Sequence, residues 1–533
     1  MRQDQPGRSS CRRFLRSSGP WQARRPERRS FRGSMQPERR LVAPRVKQCC
    51  GSGLDNAHQG PTMTRFETIA NNLAEQIRAG QIPVGARLPS LRQIISQYGV
   101  SQTTVFRAYY LLEQWGLVRA EERAGYFVTP GAAVHAEVPK QKQDDAPKKV
   151  DISDLVFSVL ESTQHPDIVP LGSAFPSPTL FPSSRLLKSL VAGTRSLSPW
   201  STVEDLPGSD RLRQQIRLRY VGIGLAVASK EIVVTNGALE ALNLCLMAVT
   251  RPGDAVAVES PGFYAALQAI ERLDLRAVEI PVNPVSGLDL GALRRALEQH
   301  PIRACWFMPN FQNPTGTSLS IEKKRALVEM LRQKQVPLIE DDVYQELHFS
   351  RDRPLPAKAF DTEGLVMHCS SFSKTLAPGY RVGWATAGRF ADKVRRLKLM
   401  TTLCASIPAQ AGIADYLENG GYDRHLRSLR SSLQTQLGQM EAALHRWLPD
   451  AVKWTRPHGG YMLWLQLPQS VNAMELHTLA SERGVSIAPG PMFSATHAFQ
   501  NCVRLNFGHP WDARFENAVR ALAEILDSPG VRA

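Results

Sequence analysis

The chain has 533 residues, which is enough for two or more domains with a large buried core. Its formal net charge of +16 is uneven: residues 1–62 hold 14 Lys and Arg against 4 Asp and Glu, a net of +10, which leaves only +6 for the other 471. The overall charge therefore says little about the partners of the folded part.

The eight cysteines show no Cys-x-x-Cys spacing, so neither a disulfide framework nor a metal site is expected, and a reducing cytoplasm is favoured. No uncharged apolar run reaches the roughly 18 residues of a membrane helix.

Residues 1–62 are rich in Arg, Gly, Pro and Ser and show no helical periodicity. We expect this basic N-terminal segment to be disordered, because such a composition buries too little apolar surface to fold. An organellar transit peptide is the alternative for an Arg-rich, acid-poor N terminus. Met63 directly precedes the first patterned helix and is a candidate start, in which case residues 1–62 are a translated upstream region that is not native.

Residues 63–130 carry the pattern of three helices and a hairpin. Phe66, Ile69, Leu73 and Ile77 recur at spacings of 3, 4 and 4, which predicts a helix with one buried face. A capping box from Ser90 to the glutamine three positions on opens a second helix, and a third begins after a Gly-Val turn. Two short β-rich pieces follow. This order predicts a winged helix-turn-helix.

The motifs in this segment resemble those of the GntR family. Its pattern Gly-x-Arg-Leu-Pro-Ser-x-Arg is matched at 85–92, Gly-Val-Ser at 99–101, Thr-Val at 104–105 and the wing glycine at Gly125. The resemblance implies binding to double-stranded DNA, with phosphate contacts from Arg87 and Arg92 and base or backbone contacts from Ser101, Gln102, Thr103 and Thr104. The amide of Gln102 is suited to hydrogen-bond the major-groove edge of adenine. A helical interaction module that does not bind DNA is the alternative.

Residues 131–150 have no apolar period and mix charges of both signs, which predicts a flexible linker. From 151 to 533, short β-rich runs alternate with helices, as in an α/β domain. Five runs lead into glycine or polar turns: 232–234 into Gly237, 255–258 into Phe263, 304–308 into Asn313, 336–339 into Asp341 and Tyr344, and 365–367 into Ser371 and Lys374. Ligands collect outside the carboxyl ends of parallel strands, so these turns are predicted to line one crevice.

The turn after residue 367 has the most distinctive chemistry. Ser371 and Ser373 offer short donors, and Arg381 offers a planar fork suited to a phosphate dianion. Lys374 can attack a carbonyl carbon if it is neutral, which requires a lowered pKa. The stretch resembles the Schiff-base segment of fold-type I pyridoxal phosphate (PLP) enzymes of the aspartate aminotransferase superfamily. A Ser-rich loop with a solvated lysine is the alternative for this stretch alone.

The superfamily resemblance implies a role for each strand-end residue. Lys374 would be the catalytic residue that holds PLP, Asp341 rather than its neighbour Asp342 would face the ring nitrogen, and Arg504 would bind a substrate carboxylate. The remaining cofactor contacts implied are Gly237, Ala238, Leu239, Ser371, Ser373 and Arg381 at the phosphate, Asn313 and Tyr344 at the ring oxygen, and Phe263 on the ring face. The tyrosine that reaches the phosphate from a partner subunit in this superfamily has no clear counterpart; Trp200 lies near its place.

A GntR-type head fused to an aminotransferase-like body resembles the MocR subfamily of transcription regulators over residues 64–527. This resemblance implies an N-terminal winged helix-turn-helix followed by a mainly parallel sheet with a smaller C-terminal α+β subdomain. It also implies a homodimer whose body senses PLP and an amino compound while its heads bind DNA. An active aminotransferase with a DNA-binding head is the second hypothesis, because no main site residue is missing. A DNA repressor whose body only dimerises is the third.

Overall fold

The computed structural model describes residues 65–78, 81–83, 85–114, 117–121, 125–128, 146–161, 167–198 and 206–528. Contacts divide the chain into two units, Met1–Thr62 and Met63–Ala533, and every described residue belongs to the second. The predictions for residues 1–62 and for Trp200 lie outside the described residues. Within these described residues, no helix is both long and apolar enough to cross a bilayer.

The first described elements form the predicted winged helix-turn-helix. They are α1 (Arg65–Arg78), α2 (Leu91–Tyr98), α3 (Gln102–Gln114) and an antiparallel hairpin of β1 (Val118–Glu121) with β2 (Gly125–Val128). Ser90 and Gln93 make the predicted capping box at the start of α2. Gly99 ends the helix with a φ of 59°, a left-handed conformation that glycine adopts without steric cost. The buried faces of the helices enclose a separate small core.

The predicted linker extends too far at its C-terminal end. Lys148 forms a two-way backbone bridge with Ala277: each amide donates to the other carbonyl at 2.9 Å. Val150 and Ile152 are each 1 % exposed and belong to the main core. The packed body therefore begins before residue 151, because apolar residues at 150 and 152 are buried there; the sequence pattern around them was too short to show this.

The body contains a mixed sheet of β3 (Ile232–Thr235), β4 (Ala255–Ser260), β5 (Arg276–Asn283), β6 (Gly287–Leu288), β7 (Ile302–Phe307), β8 (Leu338–Asp341), β9 (Val366–Ser371) and β10 (Gly383–Thr386). Their order is β3-β10-β9-β8-β7-β4-β5-β6. Neighbours from β9 through β5 are parallel, whereas β10 runs antiparallel to both β3 and β9. Strands β4, β8 and β9 are buried at every position, as expected for a sheet covered on both faces.

Helices surround this sheet, and a smaller subdomain follows it. The helices are α4 (Ser153–Glu161), α5 (Ser183–Arg195), α6 (Asp210–Val221), α7 (Ala238–Val249), α8 (Tyr264–Arg272), α9 (Leu290–Gln299), α10 (Ile321–Lys334), α11 (Ala391–Thr401), α12 (Ile407–Glu418) and α13 (Tyr422–Trp447). The subdomain contains β11 (Lys453–Trp454), β12 (Met462–Gln466), α14 (Ala473–Glu482), β13 (Ala488–Pro489), β14 (Cys502–Asn506) and α15 (Ala513–Asp527). Its strands form an antiparallel sheet in the order β11-β12-β14-β13, so the predicted α+β subdomain is confirmed.

Candidate cofactor site and DNA-binding surface

Lys374 lies just beyond the carboxyl end of β9. Its Nζ donates a hydrogen bond to the carbonyl oxygen of Ala174 at 2.7 Å and lies 3.5 Å from the centre of the Phe175 ring. Burial lowers the pKa of Lys374 from 10.5 to about 7, and the positive charges of Arg504 and Arg381 act in the same direction. The lysine is thereby poised to be neutral near physiological pH, which nucleophilic attack requires.

Asp341 ends β8 and is 1 % exposed. Its Oδ1 has no hydrogen-bond partner within the described residues. Burial raises the pKa of Asp341 from 3.8 to about 7, with a further rise from Asp342, while Lys374 opposes the rise. A buried carboxyl oxygen that lacks a donor is costly unless a ligand supplies one.

The adjacent Asp342 has a different environment, because its carboxylate is already bound by protein groups. Asn310 Nδ2 donates to both of its oxygens, at 3.1 and 3.2 Å, and His368 Nε2 lies 3.1 Å from Oδ2. The network continues from His368 Nδ1 to the hydroxyl of Tyr220 at 2.8 Å, which accepts from Trp384 Nε1 at 2.8 Å. Asp342 is thus a structural acceptor, and Asp341 is the carboxylate that can accept from a ligand.

Arg504, on β14, is fully buried. Its guanidinium donates to the Gly172 carbonyl at 2.5 Å and to Asn313 Oδ1 at 3.1 Å, and its Nε has no partner within the described residues. Burial lowers the pKa of Arg504, and the surrounding Tyr264, Tyr344 and Tyr461 oppose that shift. The structure therefore brings the predicted Asn313 and Arg504 into contact, with tyrosines close by.

The start of α7 lies against Arg381. Gly237, the N-cap, has a φ of 84°, and a Cβ atom placed on it would come within 2.6 Å of an Arg381 guanidinium nitrogen. Arg381 also donates to Ser373 Oγ at 3.2 Å, and the Ser373 amide donates to Ser371 Oγ at 3.4 Å. Helix amides, two hydroxyls and an arginine meet here, which is the donor set that a phosphate group requires.

Phe263 and Leu239 sit at the margins of these contacts. Phe263 is half-buried as the N-cap of α8, with its ring centre 5.0 Å from that of Tyr264, which itself lies near Arg504. Leu239, in the first turn of α7, has a side chain that is 45 % exposed, so a phosphate contact from this residue would have to use its backbone amide.

A second surface lies on the winged helix-turn-helix. Arg87, Arg92 and Gln102 line one concave surface together with Gly125 of the wing. A Cβ atom on Gly125 would be 2.9 Å from Arg87 Nε, so the guanidinium packs directly on the wing backbone. This surface thus combines two cationic side chains with the start of α3 and the wing, as in helix-turn-helix proteins that bind a major groove.

Ser101 and Thr104 are hydrogen-bonded to each other at the start of α3. Their hydroxyls are hydrogen-bonded to each other at 2.9 Å, and the Thr104 amide donates to Ser101 Oγ at 3.2 Å. The Ser101 hydroxyl therefore caps α3 and the Thr104 hydroxyl is bonded to it, which limits both as base-reading groups. Gln102 and Thr103 are exposed at the start of the same helix.

Two family models match the chain, and together they span most of it. "Bacterial regulatory proteins, gntR family" matches residues 65–128, and "Aminotransferase class I and II" matches residues 182–522. The HTH-type transcriptional regulator YdcR of Escherichia coli (strain K12) is 46 % identical over 467 residues, which cover 87 % of this chain and 99 % of that protein. The chain belongs to the MocR-type GntR regulators. It joins a GntR-type DNA-binding domain to an aminotransferase-like domain.

The body of this MocR-type regulator is also similar to enzymes. Aromatic-amino-acid aminotransferase 1 of Thermococcus litoralis is 30 % identical over 382 residues, covering 70 % of this chain and 91 % of the enzyme. The solved kynurenine aminotransferase of Pyrococcus horikoshii, in complex with PMP, has a TM-score of 0.66 at 29 % identity and covers 70 % of this chain and 94 % of its own. These similarities confirm the predicted fold-type I architecture.

The residues of this MocR-type regulator fit a pyridoxal group. Asp341 Oδ1 lacks a donor within the described residues, the amine of Lys374 has a lowered pKa, and Gly237 leaves room for Arg381 at the start of α7. Such a group would offer a ring nitrogen, an aldehyde and a phosphate to these three features. The donor set is thus matched to the cofactor class found in the solved aminotransferase.

Four site residues of this MocR-type regulator were missed in the sequence. Gly172 and Ala174 act through backbone carbonyls, and Tyr461 donates its hydroxyl to the Ala174 carbonyl at 3.0 Å. Gly383 on β10 lets α7 approach: a Cβ atom there would be 2.5 Å from the Gly237 carbonyl carbon. No signal for Gly383 was present in the sequence, because no strand was predicted after Arg381, and backbone acceptors leave no signal either.

Proposed function

We propose that this MocR-type regulator binds PLP through Lys374 and senses an amino compound whose carboxylate is bound by Arg504. The single observation that carries the proposal is that Lys374, whose pKa is lowered to about 7, interacts electrostatically with Asp341, whose Oδ1 has no donor within the described residues. PLP supplies an aldehyde that condenses with primary amines and a ring that withdraws electrons. Asp341 Oδ1 then serves as the acceptor for a protonated ring nitrogen, which removes the cost of its burial.

The other site residues hold and orient the two ligands. The start of α7, Ser373 and Arg381 bind the phosphate, and Phe263 packs on the ring. Arg504 binds the α-carboxylate of the amino compound, and its contact with Asn313 fixes the plane of the guanidinium. Arg504 and Asn313 are buried away from water, so charged contacts at Arg504 are stronger than they would be in solvent.

The winged helix-turn-helix binds double-stranded DNA, with Arg87 and Arg92 on phosphates and Gln102 and Thr103 at base edges. We propose that the regulator acts as a homodimer that presents two heads. Ligand binding changes DNA affinity only if one arrangement of the dimer binds the ligand more tightly than the other, so the coupling is reciprocal. The amino compound should therefore bind more tightly, or less tightly, when DNA is present.

The decisive experiment is a gel-shift or anisotropy titration of the purified full chain on DNA from its own upstream region. It is run with and without PLP and with a panel of amino acids. Visible absorbance measures PLP binding in parallel. Lys374→Arg is the matched variant, because it keeps a long basic side chain but cannot form an imine. We expect Lys374→Arg to be colourless and its DNA affinity to be indifferent to PLP. DNA binding by the native chain that ignores both PLP and every amino acid would contradict the proposal.

An active aminotransferase is the second candidate, and one observation favours it. Lys374 and Asp341 both have pKa values near 7, which is the range in which an acid–base pair can exchange protons at neutral pH. Turnover of an amino acid with a keto acid by the purified chain tests this candidate. Sustained turnover together with ligand-independent DNA binding would favour the enzyme over the sensor.

A further inference from the structure

One face of α3 is exposed and carries two large apolar side chains. Phe106 is 43 % exposed and Tyr110 is 42 % exposed, whereas Val105, Ala108 and Tyr109 of the same helix are buried. The other exposed positions of α3 with described side chains are Gln102, Thr103 and Arg107. Phe106 is one helical turn beyond Gln102, so the two side chains project from the same face.

The residues beside this face of α3 indicate that its partner is DNA. It belongs to the second helix of a helix-turn-helix, and Arg87 and Arg92 lie beside its N-terminal end on the concave surface shared with Gln102. Cations beside the start of an exposed helix suit a helix that enters the major groove while they contact the phosphates that border it. An apolar ring in that groove meets one apolar group of the DNA, the 5-methyl of thymine.

We propose that Phe106 is a specificity-determining residue that contacts a thymine methyl group, while Gln102 on the same face is placed for adenine. The inference rests on the proposed DNA binding and goes beyond it by naming the base. Four residues of helix rise about 6 Å, and stacked bases are about 3.4 Å apart. The thymine read by Phe106 therefore lies about two base-pair steps from the base read by Gln102.

The test removes the methyl group and leaves everything else in place. The full chain is first used to select a preferred sequence from a random DNA pool. Each thymine of that sequence is then replaced singly by deoxyuridine, and binding is measured by fluorescence anisotropy. Loss of one buried methyl group is expected to weaken binding of the native chain about fourfold at one thymine of each half-site. Phe106→Ala is expected to bind the thymine and deoxyuridine forms equally.

Two variants serve as controls. Thr103→Ser removes the other exposed methyl group at the start of α3, and Gln102→Ala removes the amide; both are expected to retain the deoxyuridine effect. Phe106 is exposed, so Phe106→Ala should fold, and unchanged binding to non-specific DNA checks this. If the native chain tolerates deoxyuridine at every thymine, or if Phe106→Ala keeps the effect, the assignment of Phe106 is overturned. If the native chain selects no sequence at all, the proposed DNA binding itself fails.

Discussion

The neighbouring aspartates at the end of β8 should respond in opposite ways to the same substitution. Asp341 is 1 % exposed, and its pKa is raised from 3.8 to about 7, so folding opposes its ionisation. At low pH the carboxyl is neutral in both the folded and the unfolded chain, and there is no penalty. As the pH rises above 3.8 the unfolded chain ionises first, and the penalty grows until the pH passes about 7.

The size of this penalty follows from the two pKa values. At about 1.4 kcal/mol per pH unit, Asp341 costs about 2 kcal/mol near pH 5 and about 4 kcal/mol near pH 8. Asp341→Asn removes this cost but leaves an amide donor to be satisfied, which costs about 1–3 kcal/mol at either pH. The effect of the substitution on unfolding free energy should therefore become more favourable by about 3 kcal/mol between these pH values.

Asp342→Asn is the matched control. This aspartate accepts from Asn310 and is bonded to His368, so its replacement should destabilise the chain by about 1.5–3 kcal/mol. The assay is urea unfolding of PLP-stripped protein near pH 5 and near pH 8, with PLP affinity measured separately. Asp341→Asn should also weaken PLP binding. If the unfolding free energies of Asp341→Asn and the native chain run parallel with pH, the argument from burial is wrong.

Three further changes test other parts of the structure. Gly383→Ala should cost about 1–3 kcal/mol of stability and weaken PLP binding, because its methyl group would meet the backbone at 2.5 Å. Gly379→Ala is the control, because a methyl group there has nothing within 4 Å, and it should change neither stability nor PLP affinity. Thermal unfolding and PLP titrations measure the two quantities. The rate at which PLP colours the native chain should rise with pH and level off above about 7, where Lys374 is neutral; a rise that continues to pH 10 would contradict the lowered pKa. Ser101→Ala should remove about 1 kcal/mol of capping and speed hydrogen exchange in α3, and Thr103→Ala should not; equal exchange in both variants would refute the cap.

Sequence reasoning identified the parts of the site that depend on position along a strand. Asp341 and Lys374 follow apolar runs, and parallel strands bring their carboxyl ends to one edge, so their neighbourhood could be predicted without coordinates. The antiparallel β10 was not predicted, because a four-residue strand after Arg381 carries no signal of its direction. The distinction between Asp341 and Asp342 was implied only by resemblance; the contacts of Asp342 with His368 and Asn310 supply its physical reason.

Contacts between distant segments were beyond sequence reasoning. Ala174 is 200 residues from Lys374, and it acts through a carbonyl oxygen that every residue possesses. The sequence also left open whether Ser101 and Thr104 contact DNA or the start of their own helix: a hydroxyl at this position can do either, and only geometry decides. The end of the linker at Lys148 depends likewise on a bridge to Ala277, whose position in the sheet the pattern does not give.

Lys374 and Arg504 both donate to carbonyls of one short segment, at Ala174 and Gly172. A ligand that takes the place of Ala174 at Lys374 must first break a hydrogen bond worth about 1.5–3 kcal/mol, whereas Arg504 still offers its unpartnered Nε. Binding is consequently an exchange of partners, and the measured affinity is the difference between two satisfied states. The partner lost at Lys374 therefore lowers the affinity for any ligand below that of a site whose amine starts without a partner.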